Sequence, residues 1–222
     1  MSRPAPERRE ELVELYKEAR ACTRCPLHKT RTQVVFGNGN ADADLMFVGE
    51  APGANEDVQG LPFVGRAGKL LDEMLAENRM SRHDVFVTNV LKSRPPGNRD
   101  PEAEEIQACR PYLQRQVELI EPRVVCTLGN FATKLLSGSQ QGITRVHGVP
   151  QERELGGRQV ILYPLFHPAA ALRTPRVKEQ LSEDFARLPG LLAQEPPDAA
   201  PSTEPETGRT PAAVEQMGLF GG

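Results

Sequence analysis

The sequence predicts an α/β fold: a three-layer αβα sandwich around a four-stranded, mostly parallel central sheet. Three observations lead there. Short apolar, β-branched runs alternate with longer segments of helical periodicity, and the runs end in turns rich in Gly, Pro or Asn. The length of 222 residues, 38% of them hydrophobic, suits one domain of moderate size with its own core.

In chain order, residues 6–20 set Leu12, Leu15 and Tyr16 behind an acid-rich first turn, an amphipathic helix. Residues 44–48 form a short buried strand ending in Gly49, and 67–79 a helix. A strand over 85–90 leads into a Pro-rich loop and a helix that opens at Pro101 and runs to 120. The third strand covers 123–128, a short helix 131–136, the fourth strand 160–166 and the last helix 177–188. No apolar run approaches the length that spans a bilayer. In sheets of this kind ligands gather beyond the carboxyl ends of the strands.

The formal net charge of −3 is no argument against a nucleic-acid partner, because it is unevenly placed. From Gln194 onward Glu195, Asp198, Glu204, Glu206 and Glu215 oppose Arg209 alone, so residues 194–222 carry −4 and residues 1–193 carry +1. The tail is rich in Pro, Ala, Thr and Glu and is expected to be disordered, leaving 1–193 as the folded domain. Any basic face on that domain must be local.

Cys22, Cys25, Cys109 and Cys126 are the whole thiol content. Two residues separate the first pair, the spacing by which one turn aims two thiolates at one centre. No arginine-rich transit segment or apolar signal core precedes Cys22, so an intracellular protein is expected, where structural disulfides are rare. A bound metal is favoured over bridges. Zinc and an iron-sulfur cluster both accept four thiolates, and His28 is an alternative ligand in a zinc site.

Three strand ends carry unusual residues. The first is followed by Gly49-Glu50-Ala51-Pro52-Gly53 and, beyond Glu56, by Gly60-Leu61-Pro62-Phe63-Val64-Gly65. The second ends in Thr88-Asn89-Val90 before Lys92-Ser93-Arg94-Pro95-Pro96-Gly97-Asn98-Arg99. The fourth ends in His167-Pro168-Ala169-Ala170. Each is ordinary alone; a backbone pocket, an aromatic, an amide and an imidazole at adjacent strand ends are what a small planar polar ligand requires. In order and content these segments, with the cysteines, resemble the iron-sulfur uracil-DNA glycosylases called family 4, over roughly residues 12 to 188.

The resemblance implies a base-excision repair hydrolase that flips uracil out of DNA, cuts its N-glycosidic bond and leaves an abasic site. It implies that Phe63 stacks on uracil, that Asn89 reads its edge, and that His167, helped by backbone amides of Gly49, Glu50 and Ala51, donates to the developing uracil anion. A carboxylate would orient the attacking water, and the uracil glycosylases without a cluster have an aspartate where this chain has Ala51. Glu50 is the expected water-positioning carboxylate, and Glu56 either fences the C5 side of the pocket or caps a loop. The resemblance makes Cys22, Cys25, Cys109 and Cys126 ligands of one structural 4Fe-4S cluster. A sister family traps the sugar with a histidine in the loop after the second strand; this chain has none there, so turnover is expected.

Lys92, Arg94, Arg99 and Arg173 are expected to meet DNA phosphates, with Leu172 as a wedge in the base stack. The alternative is a non-catalytic iron-sulfur nucleic-acid-binding accessory to a polymerase. At the tail's end Gln216, Met217, Leu219 and Phe220 resemble the short peptide that docks repair proteins on the bacterial sliding clamp. A cytoplasmic, nucleoid-associated monomer is expected.

Overall fold

The computed structural model describes residues 4–194. Its sheet has six strands: β1 (Asn38–Gly39), β2 (Leu45–Gly49), β3 (Val85–Asn89), β4 (Val124–Leu128), β5 (Gln151–Leu155) and β6 (Arg158–Leu165), in the order β1-β3-β2-β4-β6-β5. The central four are parallel, and β1 and β5 are antiparallel edges. β2, β3 and β4 are buried on both faces along their whole length, which is why they read as unbroken apolar runs rather than as alternating ones.

Helices cover both faces. They are α1 (Ala5–Ala21), α2 (Ala54–Gln59), α3 (Arg66–Glu77), α4 (Ala103–Ile120), α5 (Asn130–Ser137), α6 (Ile143–Val146), α7 (Pro168–Ala171), α8 (Pro175–Phe185) and α9 (Leu188–Leu192). Leu12 of α1, Leu113 and Val117 of α4 and Leu136 of α5 pack on one face against Met46, Val48 and Val125. Leu71 and Leu75 of α3, with Leu181 and Phe185 of α8, pack on the other against Phe47, Val87 and Tyr163. Each such fully buried side chain stabilises the fold by about 1.5–3 kcal/mol. α4 begins with a reciprocal capping box between Glu102 and Glu105.

The expected four-stranded sheet is thus the parallel centre of a larger one. β1 is two residues long and carries no strand propensity of its own. β5 is a charged, half-exposed edge, joined to β6 by Gly156 and Gly157, whose φ values of 57° and 70° suit a tight hairpin turn. Chain order reverses across the sheet between β2 and β4, and the crevice at that point is where an open α/β sheet holds a ligand.

Candidate active site

β2, β3 and β6 open at their carboxyl ends into one cleft of about 580 Å³. The cleft brings together Glu50, Ala51, Glu56, Phe63, Asn89 and His167, all singled out from the sequence. Gly49 lies beneath them. A Cβ there would stand 2.3 Å from Asn89 Oδ1 and 2.7 Å from Phe63 Cζ, so only glycine lets the amide and the ring meet over this strand end. Asn89 is 2% exposed and ends β3.

Phe63 is held in place by its surroundings. Its φ of 54° lies in the left-handed region, which bulky residues rarely adopt. Its carbonyl accepts a hydrogen bond from Arg82 Nη2 at 2.9 Å, and Arg82 is itself paired with Asp72. Glu56 Oε1 accepts from the amides of Val64 and Gly65 at 3.0 and 3.1 Å. Glu56 is therefore a loop brace that also borders the cleft. Across from Phe63 the His167 ring stacks at 5.6 Å between centroids, 28° from parallel.

His167 caps α7, and its Nδ1 accepts the Ala169 N–H at 3.0 Å. Burial pushes its pKa down to about 4, against a smaller upward pull from Glu56. The ring is neutral at physiological pH, with its proton on Nε2 because Nδ1 is an acceptor. Burial first, and the charge of Asp100 second, raise the Glu50 carboxyl above its ordinary value. Glu50 and His167 also border a neighbouring cleft of about 570 Å³, with Asn130 and Lys134 on its far side.

Arg99 and Arg173 lie at the cleft mouth, Arg94 is partly exposed with its Nε on Asn98 Oδ1 at 2.7 Å, and Leu172 is 39% exposed. Arg99 is braced by a two-pronged pair to the buried Glu105, at 2.9 and 2.6 Å. Lys92 does not belong on a DNA face. It is 2% exposed, and its Nζ donates to Thr88 Oγ1, Asn89 O and Gln116 Oε1 at 2.7, 2.6 and 2.7 Å. Burial pushes its pKa down to about 7. Sequence reasoning missed Asn98, which borders the cleft from a Pro-Pro-Gly-Asn turn with positive φ, and Arg82, the prop behind Phe63.

The four cysteines are parted by the sheet. Cys22 and Cys25 follow α1, Cys109 comes from α4, and all three pack on the α1/α4 face. Burial would raise the Cys22 thiol, but hydrogen bonds from Tyr112 and Arg24 outweigh it and leave the pKa lowered. Cys25 and Cys109 are raised, chiefly by burial. The Lys92 amide donates to Cys109 Sγ at 3.4 Å. Cys126 lies on the opposite face, because alternate residues of a strand point to opposite sides and Val125, not Cys126, faces α1 and α4. These donors fit a thiolate-bound centre at three positions and not at the fourth. His28 Nδ1 donates to the Cys25 carbonyl at 2.7 Å. Among the described residues no three His, Cys, Asp or Glu side chains are grouped so as to hold a single metal ion.

The profile of the Uracil DNA glycosylase superfamily matches residues 36–188. The type-4 uracil-DNA glycosylase of Archaeoglobus fulgidus is 45% identical over 192 residues, covering 85% of this chain and 96% of that protein. Those of Saccharolobus solfataricus and Thermotoga maritima are 46% and 45% identical, covering 81% and 84% of this chain and 85% and 98% of their own. With its cleft at the sheet's switch point and likeness along nearly the whole of these proteins, the chain belongs to the uracil-DNA glycosylase superfamily and, within it, to the type-4 enzymes.

Proposed function

We propose that the chain extrudes uracil from DNA and hydrolyses its N-glycosidic bond, releasing free uracil and leaving an abasic site. The observation that carries this reading is a neutral His167 with its Nε2–H free to donate, set across one cleft from Phe63 and Asn89. Uracil stacks on Phe63, a contact worth about 1–3 kcal/mol. The Asn89 carboxamide accepts from uracil N3–H and donates to O4, a pattern opposite to that of cytosine. As the bond breaks, the sugar gains oxocarbenium character and uracil leaves as an anion. The His167 Nε2–H stabilises that anion at O2, and a neutral donor suits a dry pocket because no charge need be buried before the reaction starts. Glu50 orients the water that adds to the sugar carbon, where its raised pKa suits it to take up the water's proton. Arg94, Arg99 and Arg173 meet phosphates, and Leu172 fills the gap in the base stack.

An iron-sulfur cluster of the 4Fe-4S type belongs to the same proposal, with Cys22, Cys25 and Cys109 among its ligands. When bound it supplies a structural tie between the end of α1 and α4. The peptide of Gln216, Met217, Leu219 and Phe220, which lies outside the described residues, is assigned to the groove of the bacterial sliding clamp, where the tail acts as a tether that raises the local concentration of enzyme near DNA. The enzyme acts as a monomer in the cytoplasm. Release of free uracil from a uracil-containing oligonucleotide, with the matching thymine oligonucleotide as control, tests the activity. No release under anaerobic conditions would reject it. Clamp binding by the full chain, and its loss on replacing Leu219 and Phe220 with Ala, tests the tail.

A further inference from the structure

The ligand set of the proposed cluster lacks a fourth thiol on the correct side. In β4, Val125 is in register with Met46 and Leu162 on the α1/α4 face, whereas Cys126 is in register with Phe47 and Tyr163 on the other. Cys126 is 0% exposed there, and burial alone raises its thiol well above the ordinary range. The sheet backbone stands between it and the other three cysteines.

On the correct side a different donor is at hand. Ser93 is 4% exposed and follows Lys92, the residue whose amide reaches Cys109 Sγ at 3.4 Å. The Ser93 Oγ accepts one long hydrogen bond, 3.4 Å, from Arg31 Nη1. The same Arg31 donates through Nη2 to the carbonyl of Arg20 at 3.0 Å, in the last turn of α1 that leads into Cys22 and Cys25. The hydroxyl is thus tied to Cys109 through the amide of its chain neighbour and to the end of α1, just before Cys22 and Cys25, through Arg31.

We propose that Ser93 Oγ joins Cys22, Cys25 and Cys109 as the fourth ligand of the iron-sulfur cluster, and that Cys126 takes no part in it. The inference rests on the cluster named in the functional reading, not on the glycosylase chemistry. On ligation the O–H bond is replaced by an O–Fe bond and the proton passes to solvent, with no change of oxidation state. An alkoxide is a harder donor than a thiolate, so the iron at this corner is held less firmly than the other three. Arg31, already bonded to the oxygen, offsets its negative charge.

The test uses the full chain purified anaerobically, with iron and sulfide counted per chain and electron paramagnetic resonance recorded after mild oxidation. Cys126→Ala is expected to keep the wild-type iron and sulfide content, and Cys109→Ala to lose it. Ser93→Ala should lose one of the four irons and show the signal of an oxidised three-iron cluster. Ser93→Cys should give up iron to a chelator about tenfold more slowly than wild type, the lower end of what ligand environment does to metal affinity. Loss of iron by a folded Cys126→Ala protein, or identical iron content and spectra for wild type and Ser93→Ala, would overturn the assignment. So would wild-type protein without iron. Uracil release scored on the same preparations keeps a failure of the glycosylase reading distinct from a failure of this one.

Discussion

At the scale of single residues, the proposed chemistry depends on what holds His167 and Phe63. Because the His167 pKa is lowered from 6.5 to about 4, protonation is easier in the unfolded chain than in the cleft. Its contribution to stability is complete above the ordinary value and is lost as pH falls through about 4. The same sign governs catalysis: single-turnover uracil release should not vary with His167 ionisation between about pH 5 and 8, and should fall near pH 4. His167→Ala should slow release by roughly 100- to 1,000-fold while binding to abasic DNA changes less. Wild-type single-turnover rates in that variant would require a different donor. Arg82→Ala removes the donor to the Phe63 carbonyl and should weaken inhibition by free uracil about tenfold, the worth of one hydrogen bond to a charged group, with affinity for abasic DNA unchanged. Equal weakening of both would mean that Arg82 acts on DNA and not on the ring. That Phe63, Asn89 and His167 share one cleft was legible because Asn89 ends a strand, His167 closely follows one, and Phe63 lies in the long segment after a third, all in an order that could be recognised. Arg82 was not, because its role is a bond to a carbonyl 19 residues away.

At the scale of elements, the loop between β3 and α4 is held by Glu105, which closes the capping box and grips Arg99. Hydrogen bonding by Arg99 outweighs burial and keeps the Glu105 carboxyl below its ordinary pKa. Glu105→Ala should lower stability by about 1–2 kcal/mol, read from the midpoint of a denaturant curve, through loss of the cap and its pair. The central strands and main helices were predictable because burial on both faces and helical periodicity leave strong local marks. The β5–β6 hairpin also left a mark, the Gly156-Gly157 pair, which the four-strand expectation passed over. Lys92 misled for a physical reason. It sits in a basic loop, and nothing local announces that Thr88 and Gln116, from a strand and a helix, supply its acceptors. Cys126 misled similarly: strand alternation gives two faces, and only tertiary packing says which one meets α1.

At the scale of the whole molecule, residues 1–193 carry a formal charge of only +1, so the proposed DNA contact rests on a few local arginines, of which Arg99 and Arg173 lie at the cleft mouth. With Arg94, Arg99 and Arg173 each neutralising one phosphate, the logarithm of affinity should fall against the logarithm of salt concentration with a slope of roughly −2 to −3. A much steeper slope would reveal a basic face elsewhere. The placement of Cys126 has a use at this scale. Its thiol is sealed between β4 and the α3/α8 layer, beyond the reach of solvent in the native state. Alkylating reagents need the thiolate, so Cys126 is labelled only when the core itself opens. In the presence of reagent, the rate at which mass spectrometry finds Cys126 modified is a clock for global unfolding, read at a thiol set apart from the other three.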